Sequence, residues 1–269
     1  MEHKSIKRKN GTIHYWIHKK EGAQATIVFT HGLCADHTIF EKQIPYFLEN
    51  YTLLLWDVPM HGSSRPYFDF SYRESVECLD QILQKEKIDQ VFLVGMSMGG
   101  YPSQHFALIY PEKTKGLIGL DTTPLGSNYY SRFDEWWLKH AASIAKYFPS
   151  SLLRKSIAWS VSNTKEAYVK MRSILEPLSK AEITEQMQIA YSCFILENKD
   201  VQFSFPVLLL VGEKDRTGKV LSYNKAWAKR TKYPLHFIEN ARHFANYDAP
   251  DQVNQEIEAF IQRTLSEKR

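Results

Sequence analysis

A serine hydroxyl is a weak nucleophile at neutral pH. To attack a carbonyl it needs a base within hydrogen-bond reach and donors that stabilise the oxyanion formed. The stretch Gly95-Met96-Ser97-Met98-Gly99 has the composition for such a task. It follows the apolar run Val91–Leu93 and precedes the helix-like "PSQHFALIYPEK". Ser97 therefore falls on a sharp strand-to-helix turn, where only small flanking residues avoid neighbouring backbone. The N–H of Met98 opens the helix, where unpaired donors and the helix dipole both favour negative charge. Pro102 falls in the first turn, where a missing N–H costs little. Taken alone, G-x-S-x-G also fits a serine that merely caps a helix at a tight turn.

Three further groups stand where such chemistry would need them. Thr30-His31-Gly32-Leu33 ends an earlier apolar run, and Leu33 is best placed to supply a second oxyanion N–H. Gly212-Glu213-Lys214-Asp215 ends the run "VLLLV", so Asp215 can accept a hydrogen bond from a histidine and fix its tautomer. Asp121 is the rival acid, since it too ends a strand-like run; Asp215 is preferred. His243, between the last strand-like run and the last helix-like one, is the candidate base.

The elements that must carry these residues follow from hydrophobic pattern. Asn10-Gly11 between Ile6 and "TIHYWIHKK" predicts an antiparallel hairpin with a type I′ turn. Short dense runs of Val, Ile and Leu then alternate with helix-period segments, which implies parallel strands buried on both faces of a doubly wound sheet. Between Asp121 and Asp200 the alternation stops, and only helix-period patterns occur. We therefore expect a core of residues 1–121 and 201–269 with a helical lid inserted over 122–200. The lid is rich in aromatics. Most are expected to pack its helices, with Tyr130, Trp136 and Trp137 facing the substrate, which implies an apolar, partly aromatic ligand of modest size.

With 269 residues the chain suffices for one large domain or a domain with an insertion. A formal charge of +4, with basic residues dispersed, argues against nucleic acid as partner. Cys34, Cys78 and Cys193 lack paired spacing, so neither a disulfide framework nor a thiolate metal site is expected. No stretch reads as a secretory signal or a membrane span, which places the protein in the cytoplasm, as a monomer or homodimer.

Together "HGL", "DVPMHGSS", "GMSMGG", "GEKD" and "ARHFANYDAP" resemble the α/β-hydrolase superfamily, in particular its lid-bearing serine hydrolases of carboxylesterase type. The resemblance covers nearly the whole chain outside the insertion. It implies a mostly parallel eight-stranded sheet with helices on both faces and catalytic loops at the strands' C-terminal ends. It also implies the order Ser, Asp, His, which Ser97, Asp215 and His243 follow, and structural roles for His31 and His61. No metal or organic cofactor is implied, and the partner is a small-molecule acyl substrate. One departure is that Asp215 is followed by Arg216-Thr217-Gly218, where relatives often carry proline or an apolar residue. The resemblance leaves open carboxylesterase, thioesterase, lactonase, carbon–carbon bond hydrolase and cofactor-free perhydrolase, and outside enzymes a small-molecule receptor.

Overall fold

In the computed structural model, which describes residues 1–267, the apolar runs become the strands of one sheet. These are β1 Glu2–Arg8, β2 Gly11–His18, β3 Thr26–Thr30, β4 Thr52–Trp56, β5 Val91–Met96, β6 Thr114–Leu120, β7 Val207–Gly212 and β8 Leu235–Ile238. Their spatial order is β1-β2-β4-β3-β5-β6-β7-β8. The first hairpin and the β2–β4 pair are antiparallel, and every later pairing is parallel. The helices are α1 Ile44–Phe47, α2 Tyr72–Glu86, α3 Gly100–Ile109, α4 Arg132–Ala145, α5 Ser150–Val161, α6 Lys165–Leu175, α7 Lys180–Glu197, α8 Val220–Thr231, α9 Ala245–Asp248 and α10 Pro250–Ser266.

Side chains of a strand alternate between the two faces of its sheet, and here both faces are covered. Leu53, Leu55, Phe92, Val94, Leu208 and Leu210 join one core with Val253, Ile257 and Phe260 of α10. Their neighbours Leu54, Trp56, Val91, Leu93 and Leu209 join the other with Leu79 of α2, Phe106 of α3 and Trp227 of α8. This is why the central strands carry near-continuous apolar runs instead of alternating apolar and polar residues. Strand order reverses at β3 and β5, which lie side by side with Thr30 opposite Gly95. Loops leaving the two strands diverge there and open a crevice at their C-terminal ends.

The hairpin forms, but its turn is not the one expected. Arg8 pairs with Gly11, so the two-residue loop is Lys9-Asn10, and neither residue takes the positive φ a type I′ turn needs. Gly11 instead starts β2 at φ 157°, where an added Cβ would lie 2.6 Å from the Tyr67 ring. The glycine serves a close approach rather than the turn.

Helices α4–α7 occupy the connection from β6 to β7. Capping boxes start two of them, Ser131 with Asp134 on α4 and Ser179 with Glu182 on α7. Buried residues of α5 and α6 are continuous with one core and Ala190 and Phe194 of α7 with the other. Among the described residues no helix is long and apolar enough to cross a membrane.

Candidate active site

β5 runs into a 3-10 turn, Ser97–Gly99, and then into α3. At the corner Ser97 sits at φ 51°, a left-handed conformation that non-glycine residues rarely adopt. The flanking glycines are there for space. A Cβ on Gly95 would lie 2.6 Å from Gly100 Cα, and one on Gly99 would lie 2.2 Å from Thr30 O and 2.4 Å from His31 O. The elbow therefore packs backbone to backbone against the end of β3, and Thr122 Oγ1 holds its carbonyl by donating to Ser97 O at 2.7 Å. Gly99→Ala is expected to cost about 3 kcal/mol or more, because rigid backbone rather than a pliable side chain meets the methyl. Urea unfolding checks this; a loss below about 1 kcal/mol would show that the elbow can move aside.

His243, on the loop between β8 and α9, points Nε2 at Ser97 Oγ, 2.7 Å away. Its Nδ1 lies 2.8 Å from Asp215 Oδ2, which accepts its proton. Asp215 follows β7, and its other oxygen accepts the Thr217 N–H at 2.7 Å. The departure at Arg216-Thr217-Gly218 thus supplies a donor to the carboxylate. Asp121 ends β6 nearby, but its Oδ1 accepts the Gly212 N–H at 2.7 Å and its Oδ2 the Ala245 N–H at 3.3 Å. Of the two candidate acids, Asp215 holds the histidine, while Asp121 ties the end of β7 to the histidine loop.

All three groups are buried. Burial, then the charge of Asp215, holds the Asp121 carboxyl well above the usual range. For Asp215 burial works in the same direction but is outweighed by His243 and by hydrogen bonds, so its pKa is lowered. Burial depresses His243, yet the attraction and hydrogen bond of Asp215, joined by Asp121, leave its pKa raised. Asp121, Asp215 and His243 are the only metal-capable trio among the described residues with ligand atoms within 4.8 Å of one another. Those atoms already bond to one another, to Ser97 and to backbone, so the trio is occupied as a hydrogen-bond network.

Leu33 and Met98 line the same cavity as Ser97 and His243. The first backbone bond of the elbow turn comes from Gly100 N–H to Ser97 O and Met98 O, so the Met98 N–H precedes any donor the turn can pair. His31 is buried, with Nδ1 donating to Gly32 O at 2.8 Å and Nε2 accepting the Val58 N–H at 3.0 Å. It fastens the loop after β3 to the loop after β4. His61 donates to Pro59 O at 2.9 Å, and burial followed by repulsion from His31 pushes its pKa down to about 3. Neither histidine reaches Ser97.

The cavity holds about 620 Å³. Tyr130 and Trp137 line it, together with Phe133, but Trp136 does not. Consecutive helical residues point about 100° apart, and the Trp136 ring instead stacks on His140, with centroids 4.5 Å apart. Both tryptophans are half exposed, 49% and 48%, so exposure alone does not separate them. Two groups of lining residues escape the sequence reading. Tyr101 sits one helical turn beyond Ser97, and Ala190, Tyr191 and Phe194, at i, i+1 and i+4, form one stripe of α7; that helix buries residues on more than one face, so its period does not single the stripe out. On the solvent side Lys219 pairs with Asp134 of α4 at 2.6 Å.

The family model described as alpha/beta hydrolase fold matches residues 25–156. The chain is 23% identical over 261 residues to 3-oxoadipate enol-lactonase 2 of Acinetobacter baylyi, covering 88% of each chain. It superposes on an alpha/beta hydrolase from a Medee basin deep-sea metagenome library with a TM-score of 0.80 at 19% identity, over 96% of this chain and 97% of the other. An esterase from Exiguobacterium antarcticum matches at TM-score 0.77 and 15% identity, over 94% and 96%. At such identities the structural likeness is one of fold. Strand order, elbow turn and the family match over residues 25–156 agree, and the chain has the α/β-hydrolase fold.

Proposed function

We propose that the protein is a serine hydrolase that cleaves an ester or related acyl bond of a small, largely apolar substrate through an acyl-enzyme. The observation that carries this is the hydrogen-bonded chain Ser97 Oγ, His243, Asp215, at 2.7 and 2.8 Å, opening into a cavity of about 620 Å³. In the proposed reaction Ser97 Oγ attacks the acyl carbonyl while His243 Nε2 takes its proton. The N–H groups of Leu33 and Met98 hold the oxyanion, and Asp215 keeps the imidazole in the accepting tautomer and stabilises it once charged. His243 then protonates the leaving oxygen, which departs as the C–O bond breaks. Water, deprotonated by the same nitrogen, attacks the acyl-enzyme and releases acid and free Ser97. Cyclic esters fit the same steps, and the relative named as an enol-lactonase, aligned over 88% of both chains, supports a lactone as substrate.

In this reading residues 122–200 act as a lid over the core of 1–121 and 201–269, and their aromatics set specificity. Wild-type protein should hydrolyse p-nitrophenyl esters with a clear chain-length optimum, and a fluorophosphonate should label it at one serine. No turnover of any ester or lactone, or labelling undiminished in Ser97→Ala, would overturn the proposal. Trp137→Ala should change relative kcat/KM between short and long acyl chains by about tenfold, as expected when aromatic volume leaves an apolar pocket. Trp136→Ala should leave the profile unchanged, since its ring lies outside the cavity; the reverse result would mean that the wrong face of α4 has been assigned.

A further inference from the structure

Five tyrosines line the cavity: Tyr72, Tyr101, Tyr130, Tyr191 and Tyr223. Each phenol has one proton, and following the protons shows what the wall offers a ligand. Tyr72 donates to Ala190 O at 3.0 Å, and Tyr223 faces the Asp134 carboxylate. The Tyr130 oxygen lies 2.5 Å from Pro124 O and 2.7 Å from Thr123 Oγ1. Two oxygens that close repel unless a proton lies between them, and Pro124 O has none to give. The Tyr130 proton therefore belongs to Pro124, and the Thr123 hydroxyl must donate to Tyr130. Thr123 then has no proton left for Tyr101, 2.8 Å away, so Tyr101 donates to Thr123.

The relay is held rigidly. Gln104 Nε2 donates to Thr123 O at 2.9 Å and its Oε1 accepts the Leu125 N–H at 3.0 Å, fixing the loop that carries both anchors. The Tyr101 ring packs between those of Tyr72 and Phe194, with centroids 5.4 and 4.7 Å away. With its proton committed, the Tyr101 oxygen can only accept. Tyr191 differs from the other four: among the described residues its hydroxyl has neither a hydrogen-bond partner nor a facing carboxylate, and its side chain is only partly exposed, so it can both donate and accept. A hydrocarbon placed against this wall would strand that hydroxyl, whereas a ligand hydroxyl can accept from Tyr191 and donate to Tyr101.

We propose that Tyr191 and Tyr101 form a polar subsite that selects acyl esters bearing a hydroxyl, phenolic ones above all given the aromatic walls of Phe133, Trp137 and Phe194, over their hydrocarbon counterparts. The proposal rests on the serine-hydrolase reading of the same cavity. The test uses the full chain and methyl esters of the ortho-, meta- and para-hydroxyphenylpropanoic acids, each against its methylphenyl counterpart. At least one hydroxy isomer should exceed its partner by about tenfold in kcat/KM, the size of one buried hydrogen bond. That ratio should fall toward one in Tyr191→Phe and in Tyr101→Phe, which keep the ring packing. Ratios at or below one for all three isomers in wild type, or a ratio unchanged in both folded variants, would overturn the subsite. Calorimetric binding of phenol against toluene to Ser97→Ala separates the two levels. Phenol binding more tightly, with the difference lost in Tyr191→Phe, supports the subsite even if no ester is turned over, in which case only the hydrolase reading falls. Equal binding of the two sinks the subsite whatever the hydrolysis shows.

Discussion

Ser97→Ala is expected to lower kcat for p-nitrophenyl ester hydrolysis by about a millionfold while leaving the fold in place. The loss is large because removing the nucleophile also strands the base: His243 Nε2, 2.7 Å from Ser97 Oγ, has nothing left to activate but water. What remains should be the contribution of the oxyanion donors and of binding, roughly a thousandfold or more over the uncatalysed rate. Alanine meets the same left-handed corner as serine at φ 51°, so the strain is not increased. Stability should stay within about 0.5 kcal/mol, the usual range when no packing or buried partner is lost. Burst and steady-state kinetics on the purified variant, beside its urea unfolding curve, test both halves. Activity above about one per cent of wild type would mean that Ser97 is not the nucleophile, since a triad serine does not leave that much behind.

The second large effect separates the two buried acids. Asp215→Asn should reduce kcat about ten-thousandfold, because the amide presents N–H to His243 Nδ1 and favours the tautomer whose Nε2 carries the proton. Asp121→Asn should cost about tenfold or less, since Asp121 bonds to the backbone of Gly212 and Ala245 and not to the His243 ring. The pH profile gives an independent check. His243 must be neutral to act as base, and its raised pKa puts the acid limb of kcat/KM above 6.5, with activity falling as pH drops through it. In Asp121→Asn this limb should move down by no more than about half a unit, because Asp215, through its charge and its hydrogen bond, outweighs Asp121 in raising the His243 pKa. A fall of a full unit would mean that Asp121 rivals Asp215 as the charge that holds His243. Equal losses in the two variants would mean that the acid's role is shared.

Ser97, Asp215 and His243 can be read from the chain because each lies just beyond a short apolar run, and in a parallel sheet the C-terminal ends of neighbouring strands meet at one crevice. The same reasoning prefers Asp215 to Asp121 but does not supply the physical ground for the choice. Both end buried strands, and what divides them is which oxygens the backbone of Gly212 and Ala245 has already taken. The doubly wound parallel sheet follows from the alternation of buried runs and helix-period segments, and its eight strands from the family resemblance. The Asn10-Gly11 turn does not, because a glycine needed for room against Tyr67 and one needed for positive φ look alike in sequence. Trp136 and Trp137 are adjacent and chemically identical, and only the rotation of α4 about its axis decides which meets the cavity. Tyr191 lies on a helix with buried residues on more than one face, so its period does not announce the side that matters.

Asp134 joins two structures through one carboxylate. Its Oδ2 accepts from the Ser131 N–H and hydroxyl that begin α4, at 2.8 and 2.7 Å, and its Oδ1 pairs with Lys219 beyond β7. Because both contacts use the same side chain, whatever displaces Asp134 loosens the first turn of the helix and frees Lys219 together. Amide exchange in residues 131–135 is thus a gauge of how firmly Asp134 is held beside the cavity it helps to line.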